Sequence, residues 1–114
     1  MKIEGNGKLL RIFIGEADHV GGQSLAKAIL LKAREIGLAG ATVMRGIQGF
    51  GAGSRVIHTA KILRLSEDLP ILIECVDTEE RIRLAVKEFE KLIDESGAGV
   101  LMTLEYAEII RYHQ

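Results

Sequence analysis

Residues 69–97, LPILIECVDTEERIRLAVKEFEKLIDESG, predict a strand followed directly by a helix. The strand, Leu69–Val76, is rich in β-branched and aliphatic residues, and Pro70 stands at its start, where a missing backbone donor is tolerated. One apolar stripe with helical spacing follows, made of Ile82, Ala85, Val86, Phe89, Leu92 and Ile93. We expect Asp77 to cap this helix with Glu80 completing a capping box, and Gly97 to end it.

The chain on either side adds three more strands and one more helix. The predicted strands are Lys8–Gly15, Ala41–Ile47 and Gly99–Leu104. The predicted helix carries its apolar residues at Leu25, Ala26, Ile29, Leu30, Ala33 and Ile36 and ends at Gly37. Residues 1–7 are expected to be a poorly ordered lead-in. The tail from Tyr106 to Tyr112 fits a helix or a strand.

The predicted order is therefore βαββαβ, which indicates an α+β, ferredoxin-like fold. Right-handed crossovers place both helices on one face of an antiparallel four-stranded sheet. A chain of 114 residues is expected to form a single domain, residues 1–114. The link between the second and third strands has about 20 residues, far more than a hairpin needs. It is either functional or holds an element of its own, and Val56–Leu65 fits a short extra helix.

Alternation along the strands assigns residues to the two faces of the sheet. The face beneath the helices receives Leu10, Ile12, Ile14, Ile71, Ile73, Cys75, Val100, Met102 and Leu104. The opposite face receives Leu9, Arg11, Phe13, Thr42, Met44, Leu72, Glu74, Val76, Leu101, Thr103 and Glu105. This second face is too apolar for a solvated surface and predicts a subunit interface.

Composition excludes several classes of protein. The chain is 47% hydrophobic and 27% charged, which is typical of a folded domain, and its net charge of −1 offers no general attraction to nucleic acid or anionic membranes. No apolar run approaches the ~20 residues that span a bilayer. The N-terminus lacks the apolar region of a signal peptide, and the single Cys75 cannot form an internal disulfide. We therefore expect a cytoplasmic protein.

A glycine-rich, basic segment follows the second predicted strand. No acidic residue occurs between Gly40 and Leu65, and four Lys or Arg side chains give this segment a formal charge of +4. Glycine permits close approach of the backbone to a ligand, and arginine presents a planar set of donors to phosphate or carboxylate. Arg45, Arg55 and the backbone amides of residues 46–53 are therefore candidate anion donors, and Val43, Met44, Ile47 and Phe50 are candidate apolar walls of a pocket.

Three blocks of sequence extend this interpretation: GLAGATVMRGIQGFG at 37–51, IHT at 57–59 and LSEDLPILIE at 65–74. Together they resemble the uncharacterised PII-like proteins, a domain of unknown function related to the PII nitrogen-regulatory signalling proteins. The resemblance implies a homotrimer with its sheets turned inward, which binds an adenine nucleotide, ADP or ATP, in clefts between subunits beneath the loop. The implied nucleotide-binding residues are Arg45, Gly46, Gln48, Gly49, Phe50, Gly51, Gly53, Ser54, Arg55 and His58.

The resemblance implies a sensor that passes its signal to another protein, and the residues give little support for catalysis, so we expect no enzyme and no catalytic residue, metal ligand or cofactor. Its three histidines are scattered, and no spacing resembles a zinc site. A metal-associated trimer like the divalent-cation-tolerance proteins is the alternative, with Glu16, Asp18 and His19 as ligands. An acylphosphatase-like enzyme is a weaker alternative. In that family the phosphate cradle follows the first strand, whereas the glycine-rich segment of this chain follows the second. Nucleic-acid binding is not expected, since the third strand has no aromatic residue on which a base would stack.

Overall fold

The computed structural model describes residues 2–52, 58–59 and 68–114, and a four-stranded antiparallel sheet forms the centre of this part of the chain. In chain order the elements are β1 (Gly5–Gly15), β2 (His19–Val20), β3 (Gln23–Ser24), α1 (Leu25–Glu35), β4 (Thr42–Arg45), β5 (Gln48–Gly49), β6 (His58–Thr59), β7 (Pro70–Asp77), α2 (Glu79–Ser96) and β8 (Leu101–Ile109). The central sheet has the order β4-β7-β1-β8, so β1 and β7 lie inside and β4 and β8 at the edges.

Both helices cover the same face of this sheet, as the ferredoxin-like prediction requires. Leu10, Ile12 and Ile14 of β1 are buried against α1 and α2, and the β7 residues in register with them are buried as well. The helices contribute Leu25, Ala28, Ile29, Ala33, Ile82, Ala85 and Phe89 to the core. Leu30, which we expected in the buried stripe of α1, is 37% exposed, and Ala28 is buried instead. The α+β fold is confirmed.

The helix ends follow local capping rules, with one correction. Ser24 caps α1 by accepting a hydrogen bond from the Lys27 N–H, and Gly97 ends α2 with a left-handed φ of 71°. The prediction that Asp77 caps α2 with Glu80 completing a capping box is wrong. Thr78 is the cap, because its hydroxyl oxygen accepts from the backbone N–H three residues later.

Asp77 performs a different task. Its carboxylate is fully buried, and it accepts hydrogen bonds from the Ala39 N–H at 2.9 Å and the Thr78 N–H at 2.7 Å. Arg81 lies 3.3 Å from the same carboxylate and donates to the carbonyl of Gly37. The end of β7 is thereby joined to the connection that leads from α1 into β4. A buried carboxylate needs such partners to offset the loss of its hydration.

The two termini pair with each other, which corrects the prediction of a disordered lead-in. Residues Gly5–Gly7 continue β1 and pair with residues 107–109 of β8, and Ile3 is buried. The tail that fitted either a helix or a strand is thus a strand as far as Ile109. Backbone pairing is independent of side-chain type, so a polar, glycine-containing segment adds to the sheet once a partner strand lies beside it.

The sheet face away from the helices carries the side chains that alternation assigned to it. Phe13, Met44, Val76 and Leu101 are each between 38% and 53% exposed there, although they are large and apolar. Arg11 lies among them and binds Glu74 at 2.9 Å and Glu105 at 2.8 Å. This surface, the open sheet face, is apolar with its charges already paired. It is the kind of surface that a protein partner covers.

Candidate functional site

The end of β1, the start of β7 and the end of β4 lie together at one end of the sheet. Gly15 at the end of β1 pairs with Pro70 at the start of β7, and Arg45 at the end of β4 pairs with Ile71. The Gly46 N–H then donates to the Pro70 carbonyl at 2.7 Å, which holds the start of the glycine-rich segment at the same end. The segment predicted to bind an anion therefore begins beside the turn that follows β1.

Carboxylates hold that turn in place. Asp18 accepts a hydrogen bond from the Gly15 N–H at 2.8 Å, and Asp68 accepts one from the Ala17 N–H at 2.7 Å. The Glu16 N–H also donates to the Leu69 carbonyl at 2.8 Å. A Cβ atom on Gly15 would lie only 2.7 Å from an Asp68 oxygen. The turn after β1 is thus bound to the residues that precede β7, and a larger residue in place of Gly15 would displace the Asp68 carboxylate.

The glycine-rich segment packs against the proline that begins β7. A Cβ atom added to Gly46 would lie 2.8 Å from the Pro70 ring, and one added to Gly49 would lie 3.3 Å from it. The segment then pairs with itself, Gln48 with Thr59 and Gly49 with His58. The predicted helix over Val56–Leu65 is wrong at residues 58–59, which form a strand, and its other residues lie outside the described part of the chain. The strand forms because a partner, β5, is adjacent.

A small cleft lies where the segment crosses the strand ends. Its walls are Phe13, Ile14, Gly15, Asp18, Gly49, Phe50, Gly51, Ala52, Asp68, Pro70 and Gly99. Its volume is about 60 Å³, whereas small-molecule pockets usually hold roughly 300–1,000 Å³. The described residues of one chain therefore enclose less space than a small-molecule pocket needs.

The predicted site residues separate into three groups. Gly49, Phe50 and Gly51 line the cleft. Four more lie in or next to the neighbouring strands. Arg45 is the last residue of β4 and Gly46 follows it, whereas Gln48 lies in β5 and His58 in β6. Gly53, Ser54 and Arg55 lie outside the described residues.

Of the four residues predicted to form the apolar walls of the pocket, one lines the cleft and three do not. Phe50 lines the cleft and is 70% exposed. Val43, Met44 and Ile47 are exposed large apolar residues that do not line it.

Several wall residues escaped sequence reasoning because they are distant along the chain. Asp68 and Gly99 reach the cleft only because β7 pairs with β1 and the segment after α2 runs past the same end of the sheet. Phe13 was assigned to the open sheet face and lies at the point where that face meets the cleft. In the sequence, the position of Asp68 immediately before the third predicted strand was a weak signal that this residue reaches the cleft.

The two alternative chemistries are not assembled in this part of the molecule. Within residues 2–52, 58–59 and 68–114, no three His, Cys, Asp or Glu side chains converge to hold a metal ion, and this includes Glu16, Asp18 and His19. The turn after β1, where an acylphosphatase-like enzyme places its phosphate cradle, holds carboxylates, which repel phosphate. No helix in the described residues is long and apolar enough to cross a membrane.

Comparison with protein families assigns most of the chain. The family DUF190, described as Uncharacterized ACR, matches residues 7–109. A UPF0166 protein of Aquifex aeolicus is 39% identical over 103 residues, which cover 90% of this chain and 92% of that protein. A UPF0166 protein of Methanocaldococcus jannaschii is 38% identical over 94 residues, covering 82% and 85%.

Solved structures agree on the fold. CPII, a nitrogen regulatory PII-like protein from Thiomonas intermedia K12 bound to ADP, AMP and bicarbonate, has a TM-score of 0.60 at 15% identity, with 95% of this chain and 92% of that chain covered. A protein of Thermus thermophilus described as PII-like and signalling has a TM-score of 0.62 at 18% identity, with 93% and 91% covered. The TM-scores show a shared PII-like fold, and at these identities they show the fold alone; the ligands belong to CPII.

Proposed function

Because this chain belongs to the DUF190 family, we propose that it is a non-enzymatic, PII-like sensor that binds an adenine nucleotide, ADP or ATP. The nucleotide lies in clefts between the subunits of a homotrimer, beneath the glycine-rich segment. The trimer passes the signal to a protein target through that segment. The fold neighbour CPII, which was solved with ADP and AMP, supports adenine nucleotides as the first ligands to test.

The observation that carries the proposal is the incomplete cleft at the strand ends. Gly49, Phe50 and Gly51 form one wall of a space of only about 60 Å³, far below the roughly 300 Å³ of even a small ligand pocket. The cleft shares Phe13 with the open sheet face. A second subunit that covers this face also reaches the cleft, and it supplies the missing wall.

The open sheet face is suited to that second subunit. Its exposed apolar side chains surround Arg11, whose two carboxylate partners both lie on the same face. Burying a charge without a partner is costly, and here each carboxylate already has one. Hydrogen bonding to Glu74 also raises the pKa of Arg11, whose guanidinium is charged at neutral pH in any case.

In this proposal the phosphates contact cationic and amide donors, and the carboxylates of the cleft do not bind them. Asp18 and Asp68 line the cleft, and their carboxylates would repel an anion beside them. The candidate donors are Arg45 at the end of β4 and the backbone amides of the glycine-rich segment. Arg55 and His58 remain predicted donors.

Titration calorimetry with ADP, ATP and AMP tests the proposal, combined with light scattering to count subunits. We expect ADP or ATP to bind at up to one molecule per subunit without rapid hydrolysis, and the protein to elute as a trimer. The variant Arg45→Ala should weaken ADP binding, and Arg83→Ala is its matched control, since Arg83 is as exposed as Arg45 but lies on α2, where it pairs with Glu79. Absence of heat and of a thermal shift at millimolar nucleotide would refute nucleotide binding. Rapid hydrolysis would show an enzyme instead.

A further inference from the structure

The arginine that opens the glycine-rich segment is already occupied. Arg45 Nη1 donates to Glu16 Oε2 at 3.0 Å, and the two residues are 29 positions apart in the chain. The side chains are 59% and 38% exposed, so the pair lies at the surface where a solute reaches it. A carboxylate thus holds the guanidinium that the sequence predicts as a phosphate donor.

The position of Glu16 is set by the turn on which it stands. Its own N–H donates to the Leu69 carbonyl at 2.8 Å, and the neighbouring Gly15 and Ala17 N–H groups donate to Asp18 and Asp68. The backbone of Glu16 is therefore ordered before any ligand arrives. Its carboxylate meets Arg45 at a lower entropic cost than one on a flexible loop would.

From this contact we infer that Glu16 is a specificity-determining residue, an internal anion that a ligand must displace from Arg45. The inference rests on the proposed nucleotide site. A terminal phosphate carries about −1.5 to −2 charges at neutral pH, and a carboxylate carries one. Displacement of Glu16 therefore favours ligands with a phosphate group over ligands whose only anion is a carboxylate.

Calorimetry with ADP on four proteins tests the inference: wild type, Glu16→Gln, Arg45→Ala and the double variant. Exposed ion pairs contribute about 0.2–1 kcal/mol, so Glu16→Gln should bind ADP about 1.4- to five-fold more tightly than wild type. The same change in the Arg45→Ala background should not alter ADP binding, because the arginine for which Glu16 and the nucleotide compete is then absent. Glu79→Gln is the control, since Glu79 binds Arg83 at the same 3.0 Å on a distant surface.

Each outcome decides the question. Unchanged or weaker ADP binding by Glu16→Gln overturns the inference while leaving the nucleotide site in place. Equal tightening in both backgrounds overturns it too, because the effect then comes from the general electric field and not from Arg45. If none of the four proteins binds ADP, the proposed function fails and the inference fails with it.

Discussion

Removal of the buried Asp77 carboxylate should destabilise the fold more than any change in the adjacent helix cap. Asp77→Ala leaves the Ala39 and Thr78 N–H groups without the carboxylate oxygens that accept from them at 2.9 and 2.7 Å. Hydrogen bonds to a charged group contribute about 1.5–3 kcal/mol each. Both donors are partly buried, so we take the lower value for each and expect a loss of about 3 kcal/mol.

Urea denaturation followed by circular dichroism, at one fixed protein concentration, measures this loss. Thr78→Ala is the matched control at the next position, and removal of its cap should cost about 1 kcal/mol. Asp77→Asn keeps one good acceptor and should fall between the two. A loss below about 1 kcal/mol for Asp77→Ala, or one no larger than that of Thr78→Ala, would show that the carboxylate does not hold the connection into β4.

Three further predictions concern the interface, the glycine-rich segment and the thiol. Leu72→Asp on the open sheet face should dissociate the proposed trimer in light scattering, because it buries an unpaired charge, whereas Leu84→Asp, 56% exposed on α2, should leave it assembled. Gly46→Ala should lower the free energy of unfolding by about 1–3 kcal/mol, since its Cβ would lie 2.8 Å from the proline ring that begins β7. Gly51→Ala, which meets no atom within 4 Å, should change it by less than about 0.5 kcal/mol. Burial raises the pKa of the Cys75 thiol from 9.0 to about 11, so a thiol reagent at pH 8 should react slowly with the native protein and rapidly in denaturant. Labelling of the native protein as fast as in denaturant would contradict this burial. The raised pKa of Cys75 also contributes stability to the fold below pH 9, and this stability is lost as the pH rises through 11.

Local patterns in the sequence determined the elements and the two faces of the sheet. The apolar stripe that includes Ile82 and Phe89 needs only its own spacing to define a helix with one buried side. Alternation along β1 likewise places Ile12 in the core and Arg11 on the open sheet face. These features repeat every two to four residues, so a single segment contains the whole signal.

The N-terminal pairing, the buried carboxylate and the cleft were decided only by the tertiary structure. Residues 5–7 become a strand because β8 lies beside them, and Asp77 is buried because the connection after α1 passes over it. The contact between Glu16 and Arg45 joins the turn after β1 to the end of β4, and these lie together because both strands pair with β7. Such contacts depend on which chain segments become neighbours in space, and no local period in the sequence contains that information.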